Sequence, residues 1–391
     1  VPVTARYRFA DAAFDVSAPD PDDLLWLAAY LGPDFSPDVW PDAAEVEFDI
    51  VLEHDATAHH RLADRRAAEP DTRSPVVLAL NQRDLTGTWV RGEDGESWLH
   101  EPVRDVYVRI AGQQLTVVGD GSVERGRWML VRVVRELALD RILNTGGAIL
   151  HACALTTPQG VVIVSGTEGA GKTSTLLTVL ALGAAGYVAN DRIAVWVDGD
   201  TVVGRGLPTL VGVRDGTFDL LAAAGPRGVR AVERIHDAAR TGRPDARRTS
   251  SGKVKLTPAD IDPVFGEGTV RPGGPVLGLV LPYVPETPAN TVDVRPMPAT
   301  AWTPARMTAL ECRRAFDRDL GEVFVTDASD EAAARLRSSS LAVKRAVVQR
   351  VPAVQVALRP GVPLTSADWT RIVDVLAASR RRSPARAAQR A

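Results

Sequence analysis

Residues 166–173 read Gly-Thr-Glu-Gly-Ala-Gly-Lys-Thr, the full pattern G-x-x-x-x-G-K-[ST], and their flanks decide the fold class. Before them, Gly160-Val-Val-Ile-Val-Ser165 is an apolar, β-branched run suited to a buried strand. After them, Ser174-Thr-Leu-Leu-Thr-Val-Leu-Ala-Leu182 carries its apolar residues at helical spacing, and Gly183 and Gly186 end it. A strand that turns through glycines into a helix gathers backbone N–H groups at the helix N-terminus, where an anion is held. In that context Gly166, Thr167, Glu168, Gly169, Ala170, Gly171, Lys172, Thr173 and Ser174 are expected to form a nucleoside triphosphate site. The amides of Glu168 to Thr173 cradle the β-phosphate, Lys172 bridges the β- and γ-phosphates, and the Thr173 hydroxyl holds Mg²⁺.

Lysine usage points the same way. Of 46 basic residues only four are lysines: Lys172, Lys253, Lys255 and Lys344. Where a charge alone suffices this chain uses arginine, so a retained lysine marks a place for a compact ammonium that a planar guanidinium does not replace. Lys253 and Lys255 alternate in Ser251-Gly-Lys-Val-Lys-Leu256 and so share one side of a short strand, which is also what a plain solvated face looks like.

At 391 residues the chain exceeds a typical single core, and two domains are expected. A formal net charge of −3 offers no basic face for nucleic acid. Cys153 and Cys312 lie far apart without metal-ligand spacing, which fits a reducing compartment. No apolar run approaches a membrane span and no targeting segment is evident, so a cytoplasmic protein without membrane contact is expected.

Residues 1–145 read as a β-rich domain. Val3–Phe9, Glu45–Leu52, Asp105–Ile110 and Gln114–Gly119 alternate like strands, and Asp22–Leu31 suits a helix with an acidic first turn. His59-His60 reads as a surface pair in a polar loop, since no further ligands sit at usable spacing. Arg127–Leu143 has helical periodicity and stops at Asn144-Thr-Gly-Gly147. From 146 to 378 strands and helices alternate. Within that span residues 219–252, rich in Ala, Arg and Gly, suggest a mobile segment near the site, 304–318 and 329–347 suggest helices, and Ala353–Leu358 suggests a late strand. Residues 379–391 form a basic tail expected to be disordered.

A reaction needs more than a phosphate cradle. Asn190 and Asp191 end the apolar run that starts at Gly186, where a carboxylate on an adjacent strand reaches a γ-phosphate. Asp191 can there bind Mg²⁺ or accept a proton from an incoming hydroxyl, and the same Asn-Asp pair also suits a plain turn. His151 lies in the strand before the loop, as a catalytic group or as a core histidine.

With these pieces the chain resembles the HPr kinase/phosphorylase family, within the phosphoenolpyruvate carboxykinase-like fold. His151 precedes Gly166 by fifteen residues, as in that family; Ala189-Asn190-Asp191 stands where the family has paired aspartates, and Arg205-Gly206 stands at its Arg-Gly signature. The likeness covers roughly residues 147–215 well and the stretch to about 360 loosely. Two positions differ: Asn190 replaces the first aspartate, and Val203 replaces the acidic residue two before the arginine. The resemblance implies an α/β (α+β) P-loop kinase domain of this type over 146–378 beside a separate β-rich domain for substrate recognition or regulation. It implies ATP and Mg²⁺ as cofactors, a hydroxyl of a peptide Ser/Thr or a small metabolite as acceptor, and self-association. Relatives of this layout act in specialised metabolism, and HPr itself is not the expected acceptor. The catalytic set is then Lys172, Asp191, His151 and Arg205. Arg247, Arg248, Lys253, Lys255 and Arg205 supply cations, at least one of which closes over the triphosphate or the acceptor. Two other readings stand beside the kinase: an ATPase acting as a switch, and a nucleotide-binding protein without phosphotransfer, to which the missing second carboxylate points.

Overall fold

A computed structural model describes residues 2–40, 46–68, 76–80, 83–92, 95–240, 252–286, 291–310 and 330–381. The expectations for Arg247 and Arg248, for Cys312 and for most of the C-terminal tail lie outside these residues. The protein is mixed α/β with several sheets, and divides into two compact units: Val1–Leu31, Phe35–Thr145 and Arg313–Arg337 in one, Gly32–Asp34, Gly146–Cys312 and Ser338–Ala391 in the other.

The first unit is built on one eight-stranded sheet. Its strands are β1 (Val3–Phe9), β2 (Ala12–Ala18), β3 (Val46–His54), β4 (Val76–Leu80), β5 (Arg83–Arg91), β6 (Ser97–Glu101), β7 (Val106–Ala111) and β8 (Gln114–Gly119), in the order β1-β2-β3-β8-β7-β6-β5-β4. Only β2–β3 and β3–β8 are parallel, so the chain crosses over through helices α1 (Pro21–Leu31) and α2 (Ala56–Ala68). Helix α3 (Val123–Asn144) closes the unit with Met129, Leu130, Val133, Val134 and Leu137 buried. The histidine pair differs from its expectation. His59 and His60 lie on α2 rather than in a loop, and His59 is buried, its Nε2 2.8 Å from the Asp105 carbonyl oxygen and its ring edge-on to Tyr107.

The second unit carries the glycine loop. Its strands are β9 (Ala148–Thr157), β10 (Gly160–Ser165), β11 (Gly186–Ala189), β12 (Arg192–Asp198), β13 (Thr201–Gly206), β14 (Val211–Val213), β15 (Val254–Leu256), β16 (Gly274–Tyr283), β17 (Asp293–Met297) and β18 (Ala353–Ala357). The main sheet runs β10-β9-β12-β13-β16-β18-β17, with β11 also on β9 and β10 also on β16, while β14 and β15 form a separate ribbon. Strand β9 pairs with β11 and then β12 along one edge and with β10 along the other. The start of β12 (Arg192 opposite His151) and the end of β10 (Ser165 opposite Ala152) therefore come level on its two sides.

Both faces of this sheet are covered. On one face α4 (Lys172–Ala181) presents Leu176, Leu177 and Leu180 to Val162, Val164 and Val280. On the other, Val161, Ile163 and Leu279 pack with Leu150, Met297, Val347 and Val348. Burial on two sides explains why these strands read as unbroken apolar runs, and each fully buried Leu or Val contributes about 1.5–3 kcal/mol. Residues 219–240 differ from the expected mobile segment. They continue α5 (Asp215–Ala223) and form α6 (Pro226–Arg240), anchored by Gly228, Ala231 and Ile235, while 241–251 lie outside the described residues. The other helices are α7 (Ile261–Phe265), α8 (Pro304–Ala309), α9 (Asp330–Arg350) and α10 (Ser366–Arg381). No helix among the described residues is long and apolar enough to cross a membrane.

Candidate functional site

The loop after β10 turns through Gly169 (φ 80°) and Gly171 (φ 95°), left-handed conformations that favour glycine. Gly171 is also the residue before α4, and a Cβ there would stand 2.6 Å from Leu358 Cδ1. Lys172 begins the helix and folds back: its Nζ donates to the carbonyl oxygens of Gly166 (2.7 Å) and Thr167 (3.0 Å). The side chain is buried rather than exposed, and burial holds its pKa below the ordinary lysine value, against the opposing charges of Asp191 and Glu168. The Ala170 amide turns inward to the Thr167 carbonyl at 3.2 Å, so within the loop it serves the turn itself.

Next to Lys172, the Thr173 hydroxyl donates to Asn190 Oδ1 at 3.3 Å. Asn190 sits in the two-residue turn between β11 and β12 and is buried. Its Nδ2 donates to the Leu210 carbonyl (3.1 Å), its carbonyl accepts from the Thr209 hydroxyl, and its Oδ1 also accepts from Cys153 Sγ (3.2 Å). The Asn190 amide is thus matched on every side, and it ties the strand end to the head of α4 with no buried charge. Cys153 is buried and its thiol is pushed up to about 11 by desolvation, so it acts here as a weak donor and not as a nucleophile.

Asp191 follows in the left-handed region (φ 65°), a conformation that costs a non-glycine residue about 1–3 kcal/mol unless its surroundings fix it. They do: its carbonyl accepts from the Ala152 amide at 3.1 Å, and Arg192 N–H bonds the Asn190 carbonyl at 2.8 Å. The result aims the carboxylate at His151 on β9, whose Nε2 lies 3.2 Å from Oδ1, with Arg192 Nε 3.9 Å from Oδ2. His151 itself is fixed by its backbone, its N–H on the Leu310 carbonyl (3.0 Å) and its carbonyl on the Ser165 hydroxyl (3.0 Å). Partial burial acts to raise the Asp191 pKa, but the His151 contact and the positive charges of Arg192 and Lys172 outweigh it and hold the carboxyl below the usual range. The side chain stays about half exposed.

Lys172, Thr173, Asp191 and His151 therefore converge around Asn190 and the loop. Arg205 belongs to a neighbouring cluster. Its Nη1 donates to the Gly273 carbonyl at 2.7 Å and stands 3.4 Å from Asp34, a residue to which no sequence signal points. Asp34, 3 % exposed, accepts from the amides of Gly206 (2.6 Å) and Gly273 (2.9 and 3.2 Å). Burial pushes its carboxyl up to about 6, against the pull of the Gly206 amide and the Arg205 charge. Gly206 is required here, since a Cβ would come within 2.3 Å of the Val188 carbonyl oxygen. Asp34→Asn turns a donor toward these donors and leaves Arg205 without its countercharge. A stability loss of about 2–3 kcal/mol is expected, read as a melting point lower by about 4–12 °C. The pH dependence follows from the raised pKa. Between about 4 and 6 the native protein keeps a proton that the unfolded chain has lost, so Asp34's contribution to stability falls as pH rises through that window. The gap between wild type and Asp34→Asn should accordingly widen below pH 6, and a gap constant from pH 4 to 8 would contradict the shift.

Among the described residues no group of three His, Cys, Asp or Glu is arranged to hold a metal ion. A hard cation beside Thr173 and Asp191 would thus take its remaining oxygens from phosphate and water, as Mg²⁺ commonly does. The cluster pairs a glycine loop and a lysine, which suit an anion, with an ionised carboxylate beside a histidine.

No known family profile and no curated protein matches this sequence. Among solved structures, the Hpr(Ser) kinase/phosphatase from Coxiella burnetii is similar, with 14% identity, over 39% of this chain and 79% of that one, at a TM-score of 0.21. At that score the overlap is too small for the chemistry of one protein to be carried to the other.

Proposed function

We propose that this protein is an ATP- and Mg²⁺-dependent phosphotransferase that moves the γ-phosphate to an alcohol, either a peptide Ser/Thr or a small metabolite. The observation that carries this reading is the placement of Asp191, strained and ionised, beside His151 and one turn residue from the partner of Thr173. The bound Mg²⁺ would draw charge off the phosphoryl oxygens, held by the Thr173 hydroxyl and the Asp191 carboxylate. Lys172, released from the Gly166 and Thr167 carbonyls, neutralises the charge that develops on the transferred group. Asp191 either completes that metal site or accepts the acceptor's hydroxyl proton, and in both cases His151 keeps the carboxylate oriented. The expectations of self-association, of a cytoplasmic setting and of a substrate-recognition or regulatory role for the first unit belong to this proposal as well.

A non-transferring nucleotide-binding protein, or a switch ATPase, is the second reading, favoured by the amide of Asn190 where a second carboxylate would sit. Incubation of the full chain with Mg²⁺ and γ-labelled ATP, in the presence of peptide and metabolite pools, separates the three. Label in an acceptor is the expected result; free phosphate alone indicates an ATPase, and unchanged ATP indicates binding only.

Thr173→Ala is expected to weaken Mg²⁺-ATP binding about tenfold or more and to leave metal-free binding nearly unchanged, because the lost hydroxyl is a metal ligand. Titrations with and without Mg²⁺ provide the check, and equal losses in both would remove Thr173 from the metal.

A further inference from the structure

Arg214 is brought to the glycine loop by the ribbon behind it. Strands β14 and β15 pair Val211 with Leu256 and Val213 with Val254, and all four side chains are buried, so the core below fixes where the ribbon ends. Arg214 follows Val213 directly and is the residue before α5, so it leaves the ribbon at that end. In front of Arg214 the Ser174 hydroxyl, one residue past Thr173, is 3.2 Å from that of Thr217, which holds the first turn of α5 against the first turn of α4. The Arg214 guanidinium reaches into the loop, with Nη2 3.8 Å from Glu168 Oε1. Both side chains are open to water, 61% and 82% exposed, so the pair contributes little stability and is readily exchanged.

We infer that Arg214 binds phosphate oxygens of the nucleotide, and that Glu168 is the carboxylate it gives up to do so. The inference rests on the triphosphate reading above. Its chemical ground is a shortage of positive charge at the loop: Lys172 is the one lysine in the motif, and its ammonium is shared between two carbonyls. A triphosphate brings several negative charges, and a guanidinium on a flexible stem meets two phosphate oxygens at once. Glu168, inside the loop, opposes the same charges until Arg214 neutralises them.

Equilibrium binding of Mg²⁺-ATP and Mg²⁺-ADP to the full chain tests this, with melting points recorded for each variant. Arg214→Ala is expected to weaken ATP binding about tenfold or more, the scale of one charge-assisted hydrogen bond, and Arg214→Lys to recover part of it. Glu168→Gln should tighten ATP binding severalfold when Arg214 is present and clearly less in the Arg214→Ala background, because direct repulsion by the carboxylate is relieved in both but Arg214 is released only in the first. Wild-type affinity in a folded Arg214→Ala protein would overturn the assignment, as would a Glu168→Gln effect of equal size in both backgrounds. If Arg214→Ala fails to fold, Arg214→Lys and Glu168→Gln carry the same comparison. Lys172→Ala separates the two levels of the argument. Binding that is lost there but intact without Arg214 sinks Arg214 alone, and a wild-type chain that binds neither nucleotide sinks the triphosphate reading with it.

Discussion

Lys172→Ala should lose phosphoryl transfer by at least about 10²–10³-fold while its melting point stays close to wild type, the loss expected when one group that stabilises transition-state charge is removed. The structural side of the expectation comes from the position of the ammonium. Lys172 is buried, and its Nζ satisfies the carbonyl oxygens of Gly166 and Thr167. Truncation leaves those two acceptors to water at the loop, a cost of about 1 kcal/mol, and also removes a cation whose burial is itself unfavourable. The two effects oppose each other, so the fold survives a change that the chemistry does not. Lys172→Arg is expected to fail nearly as completely, since a planar guanidinium does not fit between the same two carbonyls. Label transfer from γ-labelled ATP and a thermal melt decide the matter together. Full activity in the alanine variant would remove the loop lysine from the mechanism.

How much of this was legible in the sequence depends on the range of the contacts. Strand, glycine loop and helix at 160–182 could be read because each is local: β10 is apolar throughout since both its faces are covered, and α4 shows its buried leucines at helical spacing. Asp191 was legible from its place at the end of β11, but its left-handed backbone and its contact with His151 come from the way β9 pairs with β12 and so appear only in three dimensions. The contacts of Asp34 span 171 residues or more, and a lone aspartate in Pro33-Asp-Phe35 has no local mark to distinguish it from a turn residue. Helix α6 was obscured for another reason. It keeps only Gly228, Ala231 and Ile235 inside, and with two of the three being small the apolar face is faint although the residues recur at helical spacing. His59 was misplaced because its burial depends on Asp105 and Tyr107, both more than forty residues away. Arg214 carried a faint signal, a basic residue between a short apolar run and a helix start, with nothing to show that the ribbon would aim it at the loop.

Asp191→Asn should lower turnover by about 10²–10⁴-fold with much less change in ATP affinity, the range of general-base assistance. Asparagine is the right replacement for a structural reason. It tolerates the left-handed conformation of position 191 at least as well as aspartate, whereas alanine would add backbone strain to the loss of charge. The variant therefore removes the basicity and the charge opposite His151 and keeps the turn. The pH profile offers an independent reading of the same group. Its carboxyl is held below the ordinary range by the His151 contact and the nearby positive charges, and a base is competent when deprotonated, so activity that depends on Asp191 falls only below the range where ordinary carboxylates titrate. Between pH 5 and 9 the wild-type rate should show no limb from Asp191, and an acid limb in that window must come from another group. A metal-ligand role separates from a base role by the metal it responds to. If Asp191 acts chiefly on Mg²⁺, the Asn variant shifts its Mg²⁺ dependence strongly and recovers with excess Mn²⁺; if it acts as base, neither ion restores turnover. A variant with normal turnover would leave Asp191 as a strained turn residue and move the search for the base to His151.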